Sequence, residues 1–275
     1  MDRHRTVAFC FDRIGFAGIG FVIGGYQLFS ELFCRYLVIS KLGIDKLGLY
    51  SPILAWGGLY TTLILPAIYT YLYPRFSESK NNDEISGITN DIFRMLSFYM
   101  IPFLFIGIAF RYIIIPIFYS NEFILAANYL PLHFIGIYFF MLTEALSQVF
   151  TPKGKIKALG FFRIIMFSLN IFLVTYFIND YGLGAWMLKF LATPLIFFFI
   201  FLIYLNITFE LKIEIKNIQI ISFVLLSSLA LLFISEYNQY YAMMVSILLL
   251  LLSLKFLTTH EKEILKDKIN TMIKG

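Results

Sequence analysis

FILAANYLPLHFIGIYFFMLTEALSQVFTPKGKIKALGFFR, residues Phe123 to Arg163, is the stretch on which the fold class turns. It opens as an apolar run from Phe123 to Phe150, long enough to cross a hydrocarbon core, for which about 20 residues suffice. The run breaks at Thr151-Pro152, and Lys153, Lys155 and Lys157 crowd the turn before the next apolar run begins at Ala158. Lysines gather on the cytoplasmic side of membrane proteins, so this turn sets an orientation for the whole chain. His133 and Glu144 lie inside the run, where a polar group is costly unless it pairs or meets water.

The rest of the chain repeats the pattern. Hydrophobic residues make up 60% of the 275 and charged residues only 14%, against about a quarter charged in soluble domains. Hydropathy predicts eight spans: Phe16–Ser40, Leu49–Tyr73, Phe93–Ile115, Phe123–Phe150, Ala158–Ile178, Ala185–Leu205, Ile218–Ile234 and Tyr240–Leu257. The expected fold is all-α, a polytopic membrane helical bundle with short connections. Residues 1–15 read as a cytoplasmic leader and residues 258–275 as a cytoplasmic amphipathic tail, in which Leu265, Ile269, Met272 and Ile273 share one helical face. The longest polar connection is SESKNNDEISGIT, Ser77–Thr89.

Charge placement tests this topology separately from hydropathy. Of the 22 lysines and arginines, only Lys41, Lys46, Arg111 and Lys189 fall on the outer side when both termini are cytoplasmic. Arg35 falls within a span, and all the others fall inside, as the positive-inside rule requires. The sequence pI near 9.0 therefore reflects lysine placed on one membrane face, and no basic stretch on a soluble domain suggests nucleic acid. Cys10 and Cys34, at opposite ends of the first span, lie about 36 Å apart at helical rise, beyond disulfide reach.

Polar residues at membrane depth carry the functional expectation. On the first span Gly20, Gly24, Gln27, Glu31 and Arg35 recur at spacings of three and four, one helical face. Glu31 and Arg35 stand four apart with the acid first, the favourable order for an intrahelical pair. Two readings stay open: a stripe facing a cavity, its arginine meeting an anionic group, or a self-neutralising pair with Arg35 reaching outward. Gly20 and Gly24 match a small-residue packing face. On the fourth span Tyr129, His133, Glu144 and Gln148 align along one side. Glu144 has no basic residue within a turn of sequence, so it reads as an ion- or proton-responsive group or as a neutral acid bonded to a neighbouring helix. His133 reads as a packing residue or a site residue. Arg163 and Asn170, seven apart on the fifth span, share a face, with Arg163 near the cytoplasmic mouth.

Soluble chemistry leaves no trace. The chain has no GxxxxGK[ST], no HExxH, no cysteine–histidine cluster at metal spacing and no nucleophile elbow, so neither an enzyme nor a bound cofactor is expected. Any active transport would draw on an ion or substrate gradient.

Several stretches resemble the C-terminal half of a lipid-linked oligosaccharide (O-antigen-type) flippase of the multidrug/oligosaccharidyl-lipid/polysaccharide exporter superfamily. They are GLYSPI at Gly48–Ile53, YPRFSES at Tyr73–Ser79, FYSNEF at Phe118–Phe123, the Thr151–Lys157 turn and DYGLGA at Asp180–Ala185. Their order and spacing carry the resemblance, from about Asp12 to Leu205. It implies a six-helix transporter lobe over residues 16–210, an added transmembrane hairpin over 211–257, and a location in the cell inner membrane. It also implies a missing N-terminal lobe, with Met1 read as an internal start, the chain as a gene fragment, or the chain as a half-transporter that pairs with another chain or a second copy. The implied activity is flipping of undecaprenyl-pyrophosphate-linked oligosaccharide, with Arg35 and Arg163 as phosphate-facing bases. The implied partners are the lipid bilayer and that lipid-linked oligosaccharide. The alternatives are a multidrug-type exporter lobe, a membrane-embedded glycan polymerase or ligase, and an inactive fragment.

Overall fold

The computed structural model describes residues 3–256, with side chains described from residue 18 onward except at Tyr60. The expected tail, residues 258–275, lies outside what is described; the expected leader enters α1 from Arg3, its side chains, that of Cys10 among them, lying outside what is described. Nine α-helices account for almost all of the described chain: α1 Arg3–Leu42, α2 Ile44–Glu78, α3 Asn82–Ala109, α4 Arg111–Phe118, α5 Leu130–Ser147, α6 Ile156–Tyr181, α7 Leu183–Phe209, α8 Ile215–Tyr237 and α9 Gln239–Ser253. Among the described residues seven helices, α2, α3 and α5 to α9, are long and apolar enough to cross a membrane, α9 together with its short extension to Phe256. The expected count was eight. Helix α1 has the length and holds the expected span Phe16–Ser40, whose first residues precede the described side chains, so the seven do not include it.

Two expected spans divide where the backbone changes conformation. The third begins earlier than hydropathy suggested and breaks at Phe110 into α3 and α4. The fourth is not one helix from Phe123. Asn121–Asn128 is a 3₁₀ segment, and α5 starts at Leu130 with Pro131 in its first turn, where a missing N–H costs nothing. The long polar connection shrinks to residues 79–81. Asn81 caps α3 by accepting the Glu84 N–H (2.8 Å), while the Glu84 carboxylate accepts the Lys80 N–H (2.7 Å). This reciprocal cap satisfies donors a helix start leaves free, and so the polar residues 82–89 become helix.

Helix α5 is the hub. It packs against α7, α3 and α2, and 89% of its membrane-length window is buried. It comes close to α7 at Gly136, where an added methyl would lie 2.8 Å from the Phe190 carbonyl carbon. Thr143 reinforces the seam by donating to the Pro194 carbonyl (3.1 Å). Helices α6 and α1 pack together and α6 closes against α7, while α8 and α9 pair with each other and lie on α3. At one end of the bundle α8 is held by Asn217, which donates to the Asn90 carbonyl (3.0 Å) and side-chain oxygen (2.8 Å). At the other end the fully buried Arg111 donates to Glu236 (2.7 Å) and to Ser235. Among the described residues nothing packs on Gly20 and Gly24: no atom lies within 4 Å of a Cβ added at either.

Candidate functional site

A cavity of about 470 Å³ opens between α1, α2, α5, α6 and α7. The sequence-expected Gln27 and Glu31 reach it from α1, Glu144 from α5, and Arg163 and Asn170 from α6. A residue counted as an outer-face lysine, Lys189 of α7, also lines it. A second cavity of about 390 Å³ adjoins the first, sharing Gln27, Glu31, Phe140 and Phe190, and is walled by His133.

Two ion pairs organise the charge. Arg163 grips Glu144 with both terminal nitrogens, at 2.6 and 2.7 Å. Tyr69 of α2 adds a third hydrogen bond to the same carboxylate at 2.7 Å. The side chains of Arg163 and Glu144 are only 12% and 5% exposed, so the pairing is what makes their burial tolerable. The expectation that Glu144 stands alone is thus corrected. Its base comes from the next helix, 19 residues away in sequence and adjacent across the bundle. A planar guanidinium matched to a carboxylate in this way is strong and directional.

The second pair runs between α7 and α1. Lys189, with its side chain 3% exposed, donates to Glu31 at 2.8 Å, and its ammonium stands 4.2 Å from the centre of the Trp186 ring. Its assignment to the outer water-facing side is corrected: the first turns of α7 descend into the bundle, and the lysine goes with them. Glu31 also accepts from Arg35 at 3.2 Å. The Glu31–Arg35 pair therefore forms as the spacing suggested, with Arg35 about half exposed (46%) and absent from the lining of both cavities.

The remaining expected residues separate. Gln148 caps α5 and donates to Ser147 at 3.3 Å, outside either cavity. His133 is buried, with neither ring nitrogen hydrogen-bonded to a described residue, and sits edge-on to Phe190 (4.9 Å between ring centres) and near Tyr50 (6.3 Å). It fits there because α2 presents Gly57 to the imidazole. Sequence reasoning missed Lys189, Tyr69 and Thr193, whose buried hydroxyl lines the cavity without a partner among the described residues. A signal existed for two of them: Lys189 and Thr193 stand four apart in the otherwise apolar WMLKFLATP.

Chemically the cavity holds two bases, each neutralised by a carboxylate, with the amides of Gln27 and Asn170 beside them. Such a lining offers hydrogen-bonding and charged groups to a polar ligand. An anion entering it competes with Glu31 and Glu144 for Lys189 and Arg163.

Comparison with known proteins follows the same line. Residues 15–128 match the family model described as Polysaccharide biosynthesis protein. That range contains the Gly48–Ile53, Tyr73–Ser79 and Phe118–Phe123 motifs. No curated protein matches the chain. Among solved structures, the fold is shared with a lipid II flippase MurJ in an inward closed conformation, at 18% identity and a TM-score of 0.67. The match covers 86% of this chain and 52% of that one, so this chain spans about half the length of the flippase. The family model thus covers the first part of the region in which the sequence motifs lie, and the shared fold extends over most of the chain.

Proposed function

We propose that this chain is one lobe of a carrier that moves a lipid-linked oligosaccharide across the cell inner membrane, the charged headgroup travelling through the cavity between α1, α2, α5, α6 and α7. The observation that carries the reading is the paired lining of Arg163–Glu144 and Lys189–Glu31 at membrane depth. A phosphate or pyrophosphate group meets two bases there, and the amides of Gln27 and Asn170 suit sugar hydroxyls. The polyprenyl chain stays in lipid. In this reading the resident carboxylates keep the empty site neutral, and the incoming anion takes over their bases. Of the bases named from the sequence, Arg163 keeps its phosphate-facing role, and Lys189 replaces Arg35.

In this reading a second lobe completes the passage. What supports this is the open side of α1, where Gly18, Gly20, Gly24 and Gly25 meet nothing within 4 Å. Both termini are cytoplasmic on the positive-inside argument.

The test is genetic and chemical. Cells lacking the gene are complemented with the wild-type chain, Arg163→Gln, Lys189→Gln or Arg35→Gln at matched protein levels, and glycan-loaded lipid is quantified on the inner side. Accumulation with Arg163→Gln and Lys189→Gln, but not with Arg35→Gln, is the expected result. Wild-type export by both cavity variants would remove the site assignment. An absence of any glycan-lipid phenotype on deletion would remove the function.

A further inference from the structure

A second cleft, also of about 470 Å³, lies on the other side of the molecule, between the start of α8, the end of α9 and α3. It shares no lining residue with the central cavity, and its size is within the roughly 300–1,000 Å³ typical of small-ligand sites. The lining divides by chemistry. Arg94, Lys216 and Lys255 are basic and Glu214 is the one acid, while Ile220, Phe223, Leu252 and Phe256 form an apolar wall. Arg94 is engaged by Asp91 at 3.3 Å. Among the described residues neither Lys216 nor Lys255 makes an ion pair, and both are exposed.

The floor of this cleft is built in advance. Asn217 is buried and locked to Asn90, and the Glu214 backbone N–H donates to the Asn90 side chain at 2.8 Å. Phe223 packs on Phe256 with ring centres 5.2 Å apart, which fixes the apolar wall. The cleft is at the end of the bundle where α2 meets α3 and α5 meets α6, the end that also carries Lys80, Lys153, Lys155, Lys157 and Lys212.

We propose that this cleft binds an anionic phospholipid of the adjoining leaflet, its phosphate between Lys216 and Lys255 and its acyl chains along Phe223, Leu252 and Phe256. Charge complementarity selects the occupant: two ammonium groups without an ion pair among the described residues stand above an apolar wall at the bundle end, and a lipid with a net negative headgroup satisfies both halves. Basic pockets between membrane helices are suited to such headgroups. A zwitterionic lipid brings its own cation and gains less. A bound lipid would brace the α8–α9 pair against α3. The inference does not depend on what the central cavity carries.

The full chain, purified in detergent, is offered equimolar dioleoyl-phosphatidylglycerol and dioleoyl-phosphatidylcholine, and bound lipid is counted by native mass spectrometry. The wild type retains phosphatidylglycerol in preference. Lys216→Gln and Lys255→Gln each lower that preference about fivefold, the arginine variants keep it, and Lys41→Gln at the opposite end leaves it unchanged. Retention of the full preference by the double glutamine variant overturns the site, as does an equal loss with Lys41→Gln. Displacement of the lipid by millimolar inorganic phosphate overturns the lipid assignment in favour of a soluble anion.

Discussion

Gly136 of α5 lies directly against the carbonyl of Phe190 of α7, the carbonyl whose helical donor would come from residue 194, a proline without an N–H. This close backbone approach of α5 to α7 thus falls where α7 has a weakened hydrogen-bond ladder. Only a residue without a side chain admits it.

Gly136→Ala will therefore destabilise the bundle. The added methyl meets backbone and not a flexible side chain, and overpacking of this kind costs about 1–3 kcal/mol. Thermal unfolding in detergent is the measurement. Gly87→Ala is the control, since nothing lies within 4 Å of a Cβ there, and a helical Gly→Ala exchange gains up to about 1 kcal/mol.

Breaking the Arg163–Glu144 pair from either side will cost more than removing both charges. A buried charge left without its partner costs about 3–5 kcal/mol, so Arg163→Met and Glu144→Gln each fall well below the wild type and the double variant recovers part of the loss. A double-mutant cycle on unfolding measures the coupling. Tyr69→Phe, which removes one bond to a charged acceptor, will cost about 1.5–3 kcal/mol.

Arg111→Met will loosen the α8–α9 pair without disturbing the central cavity. Arg111 is the tie from α4 to Ser235 and Glu236 at the end of α8. Hydrogen exchange of the backbone around residues 235–242 will rise, while exchange across α5 stays at wild-type rates. Equal protection of residues 235–242 in both proteins would show that the tie is dispensable.

Wetness of the cavity is open to direct measurement. In a background with Cys10 and Cys34 replaced by serine, Gln27→Cys and Asn170→Cys will react with a charged, water-soluble thiol reagent. Leu226→Cys, on the outward apolar face of α8 (66% exposed), will not, because only lipid reaches it. Unreactive cysteines at both 27 and 170 would mean a dry seam, and the carrier reading would fail with them.

Much of the site was legible in the chain and its pairing was not. The spacing rule placed Gln27 and Glu31 on one face of α1, and Arg163 and Asn170 on one face of α6, and all four line the same cavity. The same rule grouped Arg35 with Glu31, and Gln148 with Glu144, although those two turn elsewhere. A stripe on a helix covers a wide arc, and only the neighbouring helices decide which part of it they enclose. Glu144 looked unpaired because its partner comes from another helix, and Lys189 looked external because charge counting assigns loops and not depths.

The amino-acid sequence by itself determined that this is an all-α membrane bundle with its lysines crowded at one end. Apolar run length and charge placement are local properties, and the bilayer acts on each segment separately. Tertiary structure alone decided where helices begin and break, that α5 is the hub, and which acid holds which base. Those outcomes depend on backbone approach and on distances between helices, and in a low-dielectric interior a shift of a few ångströms separates a neutral pair from an intolerable lone charge.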